Sequence, residues 1–157
     1  MKYIKADEQL HSEIHNLVQQ TIKTVYPKYY PKEIVDFFCE LHSLDNIRKD
    51  IENETVYALY DNNALVGTGC FSENHITRVY VLPKYQGRGY GTYIITQLEN
   101  EIKKKYDTAV LDASLPAVML YEHLGYKTVN HNKYPVKNDV VLIYDIIEKK
   151  LALEELF

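Results

Sequence analysis

The 157-residue sequence contains no tryptophan and only two cysteines. Both cysteines lie in apolar segments, Cys39 after two phenylalanines and Cys70 between a glycine and a phenylalanine, which is typical of reduced thiols in a core. Two isolated cysteines do not form the disulfide framework of a small secreted protein, and neither stands in a nucleophile motif. The sequence therefore predicts neither a disulfide nor a catalytic cysteine.

Long apolar runs are also missing. No segment approaches the roughly 20 apolar residues that a membrane-spanning helix needs, and the first residues lack the apolar core of a signal peptide. We therefore expect a cytoplasmic protein that does not enter a membrane. With 46% hydrophobic residues, the chain is long enough for one well-filled core and too short for two ordinary domains.

A net positive charge is missing as well. The net charge is −4, and the one basic run, residues 103–105, falls at the end of a predicted helix, where lysines complement the helix dipole. This disfavours a nucleic-acid partner, and an acidic surface suits a cationic substrate. His11 and His15 have the i, i+4 spacing of a metal pair, but no carboxylate or cysteine cluster completes a site, so no metal is predicted.

Hydrophobic periodicity predicts an α/β (α+β) domain with a mixed, mostly antiparallel sheet, a central parallel βαβ unit and helices on both faces. The predicted strands span residues 3–5, 55–60, 64–71, 75–81, 108–112, 126–129 and 139–147. Helices are expected after Asp7, after Pro31, after Ser43, after the glycine-rich loop and after Pro116. For residues 149–157 the sequence predicts a short amphipathic tail that docks on the domain or on a second subunit in a homodimer.

The most informative stretch runs from Val79 to Leu98. A β-branched and aromatic segment passes through Pro83 into a loop with glycine at positions 87, 89 and 91, and a helical pattern follows at once. Glycine permits positive φ and leaves room for close approach of a ligand. Because the loop opens a helix, its free N–H groups and the positive end of the helix dipole favour a phosphate, to which Arg88 adds a charge.

Other glycine loops fit this stretch less well. The phosphate loop of nucleoside triphosphatases ends in Gly-Lys-Ser/Thr, and Gly91-Thr92 lacks the lysine. A dinucleotide fingerprint requires glycine where Thr92 stands, although Asp112 lies about where a ribose-binding acid would. A third interpretation is a turn that connects the strand to the helix and binds no ligand.

The segment Gln86-Gly87-Arg88-Gly89-Tyr90-Gly91, preceded by a Val-x-Pro, resembles the signature of the GCN5-related N-acetyltransferase (GNAT) family. Residues 113–126, with Ala-Ser, Leu-Tyr-Glu and Leu-Gly-Tyr in series, are similar to the second signature of that family. The resemblance implies a GNAT-like fold, an N-acetyltransferase domain over residues 1–148 and acetyl-CoA as cosubstrate.

The resemblance also implies where acetyl-CoA would bind. Its pyrophosphate would lie on the backbone N–H groups of the loop, and its pantetheine arm would add like a strand beside residues 79–81. Ser114 stands where the family often has an asparagine that contacts this arm. The predicted cofactor-binding residues are Val79, Tyr80, Val81, Gln86, Gly87, Arg88, Gly89, Tyr90, Gly91, Thr92 and Ser114.

The implied reaction is attack of a neutral amine on the thioester. Tyr121 matches the tyrosine that donates a proton to the leaving thiolate in the family. A base must take a proton from the amine, whose pKa in water is about 10.4. His75 stands where histone-type members carry glutamate, Glu73 is a second candidate, and many members use ordered water.

The acceptor is predicted only by class, as a primary amine on a small molecule or a peptide. The segment between the first two strands forms a wall of the acceptor site in the family, so Tyr26, Tyr29 and Tyr30 are candidates for substrate binding; the alternative is that they cover the core. Two other functions stay open. One is a non-catalytic acyl-CoA-binding module, and the other a small dinucleotide-binding oxidoreductase.

Overall fold

The computed structural model describes residues 1–152. This part of the chain contains seven strands, five α-helices and four short 3-10 turns. The elements are β1 (Lys2–Lys5), α1 (His11–Val25), α2 (Lys32–Leu41), α3 (Leu44–Glu52), β2 (Val56–Asp61), β3 (Ala64–Ser72), β4 (His75–Val81), α4 (Tyr90–Ile102), β5 (Thr108–Ala113), α5 (Val118–His123), β6 (Lys127–Pro135) and β7 (Val141–Lys150). None of the helices in residues 1–152 has the length and apolar character to cross a membrane.

The strands form one mixed sheet in the order β1-β2-β3-β4-β5-β7-β6. Every neighbouring pair is antiparallel except β4 and β5, which α4 connects. One hydrophobic cluster joins α4 and α5 to the sheet, and a second joins α1, α2 and α3 to its other face. The predicted α/β fold, with a parallel βαβ unit inside an antiparallel sheet and helices on both faces, is confirmed.

The parallel strands β4 and β5 separate soon after they meet. They pair only at His75 opposite Val110, whereas β4 pairs with β3 from its first residue to its last. A register shift occurs between Cys70 and Phe71 of β3: these adjacent residues pair with Arg78 and Ile76, so β4 has one extra residue at this point. Such a bulge bends its strand and re-aims side chains. The sheet therefore opens between the carboxyl ends of β4 and β5.

Two glycines in β3 let α4 pack close to the sheet. A Cβ at Gly67 would lie 2.8 Å from Ile94 Cδ1, and one at Gly69 would lie 2.6 Å from Ile94 Cγ2. Both distances are shorter than real Cβ contacts, so a side chain at either glycine would force Ile94 or α4 to shift. Close packing of α4 fixes its first turn at the edge where the sheet opens.

The C-terminal hairpin is longer than the sequence predicts. The predicted strand 126–129 is β6, which continues to Pro135, and the predicted strand 139–147 is β7, which ends at Lys150. Lys149 pairs with Ala109 of β5, and its ammonium group donates a hydrogen bond to Glu99. The charged end of β7 therefore belongs to the sheet, although its sequence does not resemble a strand. The predicted tail at 149–157 thus begins inside β7, and residues 153–157 lie outside the described residues.

Candidate active site

The glycine-rich loop enters α4 in a left-handed conformation. Gly87 has φ of +79° and Gly89 has φ of +86°, and Gly89 is the residue that precedes the helix. A Cβ at either position would meet no heavy atom within 4 Å. These glycines are therefore required by backbone conformation, and the space in front of them is free for a ligand. The Gln86 side-chain amide donates to the Val81 carbonyl at 2.9 Å and ties the loop to β4.

The loop presents a row of free backbone donors. In residues 1–152, no hydrogen bond is donated by the amides of residues 87–92, and the first helical bond begins at Tyr93. The Arg88 guanidinium lies beside this row, 5.7 Å from the Tyr85 ring centre. The Tyr90 hydroxyl donates to the Asp61 carboxylate, so it braces the helix start against β2. Free amides, a helix N-terminus and an arginine are groups that favour a bound anion.

A cavity of about 560 Å³ occupies the opening between β4 and β5. Its walls come from β4, β5, the linker between α1 and α2, the ends of α2 and α3, α5 and the β6–β7 hairpin. Aromatic, aliphatic and polar side chains line it. The predicted site residues that line it are Tyr26, His75, Val79, Tyr80, Ser114 and Tyr121.

A cluster of hydroxyl groups joins the predicted cofactor wall to the predicted acceptor wall. The Tyr26 hydroxyl lies 3.2 Å from the Tyr80 hydroxyl and 3.3 Å from Ser114 Oγ. The Tyr30 hydroxyl accepts a hydrogen bond from the Leu115 amide at 2.8 Å and so fixes the α1–α2 linker to the loop after β5. Tyr29 is 50% exposed and does not line the cavity. The structure thus places Tyr26 at the cavity, Tyr30 behind it and Tyr29 outside.

Tyr121 projects from α5 into the cavity. Its ring packs edge-to-face on Tyr126, with ring centres 5.3 Å apart. Burial, with smaller effects of Tyr26 and Glu99, raises the pKa of Tyr121 above its ordinary value near 10. Its hydroxyl has no hydrogen-bond partner in residues 1–152 and is still open to the cavity. The group is therefore a protonated phenol that is free to donate a hydrogen bond.

The two candidate bases differ in position. His75 is exposed at the first position of β4 and lines the cavity. Glu73 is exposed in the turn before β4, with φ of +55°, and is not part of the cavity wall. Of the two candidates, only His75 lines the cavity.

A buried polar cluster in the cavity wall was not predicted. Arg78 of β4 is 5% exposed; its Nε donates to His42 Nδ1 at 3.1 Å, and its Nη2 donates to Asp50 Oδ2 at 2.8 Å. Burial and the Arg78 charge lower the pKa of His42 to about 3. Arg78 occupies the buried position between Ile76 and Tyr80 in the alternation of β4, a signal that could have located it, but nothing in the sequence pairs it with a histidine 36 residues away.

Comparison with known proteins agrees with this geometry. The profile of the acetyltransferase (GNAT) domain matches residues 25–141. An uncharacterized acetyltransferase of Streptococcus pyogenes is 35% identical over 91 residues, which are 54% of this chain and 64% of the relative. The chain thus spans less than two thirds of that relative.

Solved structures show the same fold at low sequence identity. A GCN5-related N-acetyltransferase from Rhodopseudomonas palustris superposes with a TM-score of 0.87 at 19% identity, over 96% of this chain and 95% of the other. The PaiA N-acetyltransferase from Thermoplasma acidophilum, solved in complex with coenzyme A, has a TM-score of 0.74 at 18% identity, over 95% and 98%. The Salmonella typhimurium protein yncA, solved with its cofactor acetyl-CoA, has a TM-score of 0.74 at 17% identity, over 97% and 94%. Because the domain profile covers most of its length, the chain belongs to the GNAT acetyltransferase family.

Proposed function

We propose that this protein is an acetyl-CoA-dependent N-acetyltransferase that acetylates a primary amine of a small molecule or peptide. One observation carries the proposal: the free amides of residues 87–92 follow the carboxyl end of β4, the end at which the sheet opens between β4 and β5, and Tyr121 lines the cavity in that opening. A long ligand with a phosphate at one end and a reactive group at the other fits this arrangement.

The loop would hold the pyrophosphate of acetyl-CoA. The amides of residues 87–91 and the Arg88 guanidinium supply donors, and Thr92 adds its amide in the first turn of α4. Open space in front of Gly87 and Gly89 accommodates the phosphate oxygens. Two GNAT-fold structures, from Thermoplasma acidophilum and Salmonella typhimurium, were solved with coenzyme A or acetyl-CoA, which supports this assignment.

Strand β4 would hold the pantetheine arm. Because β5 pairs with β4 only at His75, the backbone from Val79 to Val81 has no strand neighbour on that side. An extended arm can therefore bond to β4 as an added strand would, without a specific side chain. Ser114, at the end of β5, faces the same opening and reaches Tyr26 through its hydroxyl.

Acetyl-CoA supplies the activated acetyl group, and the chain's own residues handle the protons. His75 borders the cavity, and its imidazole would act as the general base that accepts a proton from the incoming ammonium, directly or through water. A backbone N–H of residues 79–81 would stabilise charge on the carbonyl oxygen. Tyr121, protonated because its pKa is raised, would donate a hydrogen bond to the departing sulfur.

The acceptor amine would enter beside the α1–α2 linker. Tyr26 forms part of the cavity wall, and Tyr30 positions the linker through its bond to the Leu115 amide. Aromatic rings at this wall, Phe37 and Phe38 of α2 and Tyr134 of β6, offer apolar area and π faces to a cationic or apolar amine.

Release of the coenzyme A thiol against a panel of primary amines tests the proposal. Thiol release that requires both an amine and acetyl-CoA, with the acetylated product confirmed by mass spectrometry, is the expected result. Tight acetyl-CoA binding without release on any amine would contradict the transferase and favour a non-catalytic acyl-CoA-binding module. Absence of acetyl-CoA binding would overturn the loop assignment as well.

A further inference from the structure

The buried histidine at the end of α2 has its tautomer fixed by its neighbour. His42 is 5% exposed and lines the cavity. Its Nδ1 lies 3.1 Å from Arg78 Nε. A guanidinium can donate hydrogen bonds but cannot accept them, so Nδ1 must be the acceptor. The neutral imidazole therefore carries its proton on Nε2.

That Nε2 proton points to open space. Among residues 1–152, the buried side-chain nitrogens and oxygens that lack both solvent contact and a partner are the Tyr3 hydroxyl and Arg78 Nη1. His42 Nε2 is not one of them, although no protein atom in this part of the chain bonds to it. Since the imidazole borders the cavity, Nε2–H is a donor that a ligand in the cavity can reach.

His42 keeps this donor across the working pH range. The groups that face it are Arg78, which bonds Nδ1, Asp50, which bonds the other side of the guanidinium, and Tyr80, whose ring centre lies 5.3 Å from the imidazole centre. Burial and the Arg78 charge hold the pKa of His42 far below neutrality. With Nδ1 occupied and Nε2 protonated, His42 is a hydrogen-bond donor and cannot be the general base.

The charge around His42 is balanced. Arg78 pairs with Asp50, and the other charged residues of the cavity wall, Lys49 and Asp112, carry opposite signs. An acidic ligand group near His42 would meet the Asp50 carboxylate without a net positive charge to compensate. A neutral oxygen that only accepts a hydrogen bond, such as an amide carbonyl, fits the imidazole donor better.

We propose that His42 is a specificity residue whose Nε2–H donates a hydrogen bond to a neutral carbonyl oxygen of the amine substrate. The protein would thereby select amines that carry an amide carbonyl near the reacting nitrogen over amines that lack one. This inference rests on the proposed acetyltransferase function and adds to it the chemical class of the acceptor.

A comparison of three small amines tests the selection. Glycinamide carries an amide carbonyl, propylamine has no oxygen, and glycine carries a carboxylate instead. The kcat/KM ratio of glycinamide to propylamine, divided by the same ratio for a variant, cancels the intrinsic reactivity of each amine. We expect His42→Phe to lower the glycinamide-to-propylamine ratio of kcat/KM about 10-fold, which corresponds to the free energy of one net hydrogen bond. His42→Gln, whose amide can accept from Arg78 and donate to the substrate, should restore it.

Two results would overturn the proposal. One is an unchanged glycinamide-to-propylamine ratio in folded His42→Phe, because the donor would then contribute nothing to selection. The other is a stronger effect of the substitution on glycine than on glycinamide, because the site would then recognise an anion. Circular dichroism and acetyl-CoA affinity establish that the variant is folded and binds its cosubstrate.

Nitrogen NMR of the ¹⁵N-histidine-labelled wild-type protein tests the same bond without catalysis or a variant. His42 should show the Nε2–H tautomer from pH 5 to 9, and glycinamide, added with coenzyme A, should shift its Nε2 signal while propylamine does not. A protonated Nδ1, or equal shifts with both amines, would refute the proposal. If no amine is acetylated but glycinamide alone shifts Nε2, the acetyltransferase function fails and the His42 site stands.

Discussion

The left-handed glycine at the start of α4 provides a sharp test of the phosphate loop. Gly89 has φ of +86°, and a Cβ there would meet no heavy atom within 4 Å. A substitution therefore costs backbone strain but no clash. Asparagine and aspartate are the side chains that best tolerate this conformation, and the backbone strain destabilises the fold by roughly 1–2 kcal/mol. Gly89→Asn and Gly89→Asp are almost the same shape and should both fold.

The charge distinguishes the two variants. Two like charges about 5 Å apart, in surroundings with an effective dielectric constant of about 20, repel each other by about 3 kcal/mol. That energy corresponds to roughly a 100-fold change in affinity. We expect Gly89→Asp to bind acetyl-CoA at least about 100-fold more weakly than Gly89→Asn in isothermal titration calorimetry at low salt, where screening is weak.

Gly125 provides the control for strain. It has φ of +96° at the end of α5, and a Cβ there would be in ordinary contact with Lys149, 3.6 Å from its Cε. Gly125→Asn should lose about as much stability as Gly89→Asn and keep the affinity for acetyl-CoA. If Gly89→Asp binds acetyl-CoA as tightly as Gly89→Asn, the loop does not hold the phosphates and the reasoning is refuted.

Three further predictions concern the cavity. Tyr121→Phe should lower the rate of single-turnover acetyl transfer by 100-fold or more and leave the Kd of acetyl-CoA unchanged, because it removes only a donor; equal losses would indicate a packing role. Asp50→Asn should lower the free energy of unfolding in urea by about 1–3 kcal/mol, because Arg78 is buried and loses its charged partner. The control is the exposed pair of Arg48 and Asp45, whose Nη1 and Oδ1 atoms are 3.8 Å apart. Asp45→Asn should lose less than about 0.5 kcal/mol, and equal losses for the two variants would contradict a buried pair at Asp50. His42 has a folded pKa below its unfolded value near 6.5, so the unfolded chain binds the proton more readily and stability should fall as pH drops from about 6.5 toward 3, by up to about 1.4 kcal/mol per pH unit. That slope should be absent from His42→Gln in pH-dependent urea denaturation, and an identical slope in both proteins would contradict a neutral buried imidazole.

Much of the fold could be predicted because its elements have strong local signals. The period of Ile14, Leu17, Val18 and Ile22 predicts the buried face of α1, and all four are buried. The β2–β3 hairpin follows from a turn at residues 61–63 between two apolar runs, and Asn62 and Asn63 adopt the positive φ that such turns need. The βαβ unit follows from the order of strand, glycine loop and helix.

The ends of β6 and β7 could not be predicted from the same signals. The sequence predicts that Lys149 and Lys150 begin an amphipathic tail, but both residues pair with β5, and the Glu99 carboxylate lies 3.2 Å from Lys149 Nζ. Nearly all residues of β6 are exposed, so β6 lacks the alternation of buried and exposed residues that predicts a strand. Its pairing with β7 makes it a strand. Tertiary partners decide such segments, and a local pattern does not contain them.

The candidate site divides in the same way. The loop at residues 86–91 carries its function in its own sequence, because positive φ and free amides are local properties. The cluster of His42, Arg78 and Asp50 is assembled from α2, β4 and α3. Only folding reveals that a strand arginine fixes the tautomer of a helix-terminal histidine, so the acceptor side of the cavity had no signal comparable to the glycine signature.

Binding of acetyl-CoA to the whole protein, measured by calorimetry with NADH as the control ligand, tests the central claim most directly. The account predicts one acetyl-CoA bound per chain, with binding that weakens as salt is raised because phosphates meet amides and Arg88, and no comparable binding of NADH. Preference for NADH, or no binding of acetyl-CoA at all, would contradict the assignment of the loop and of the opening between β4 and β5.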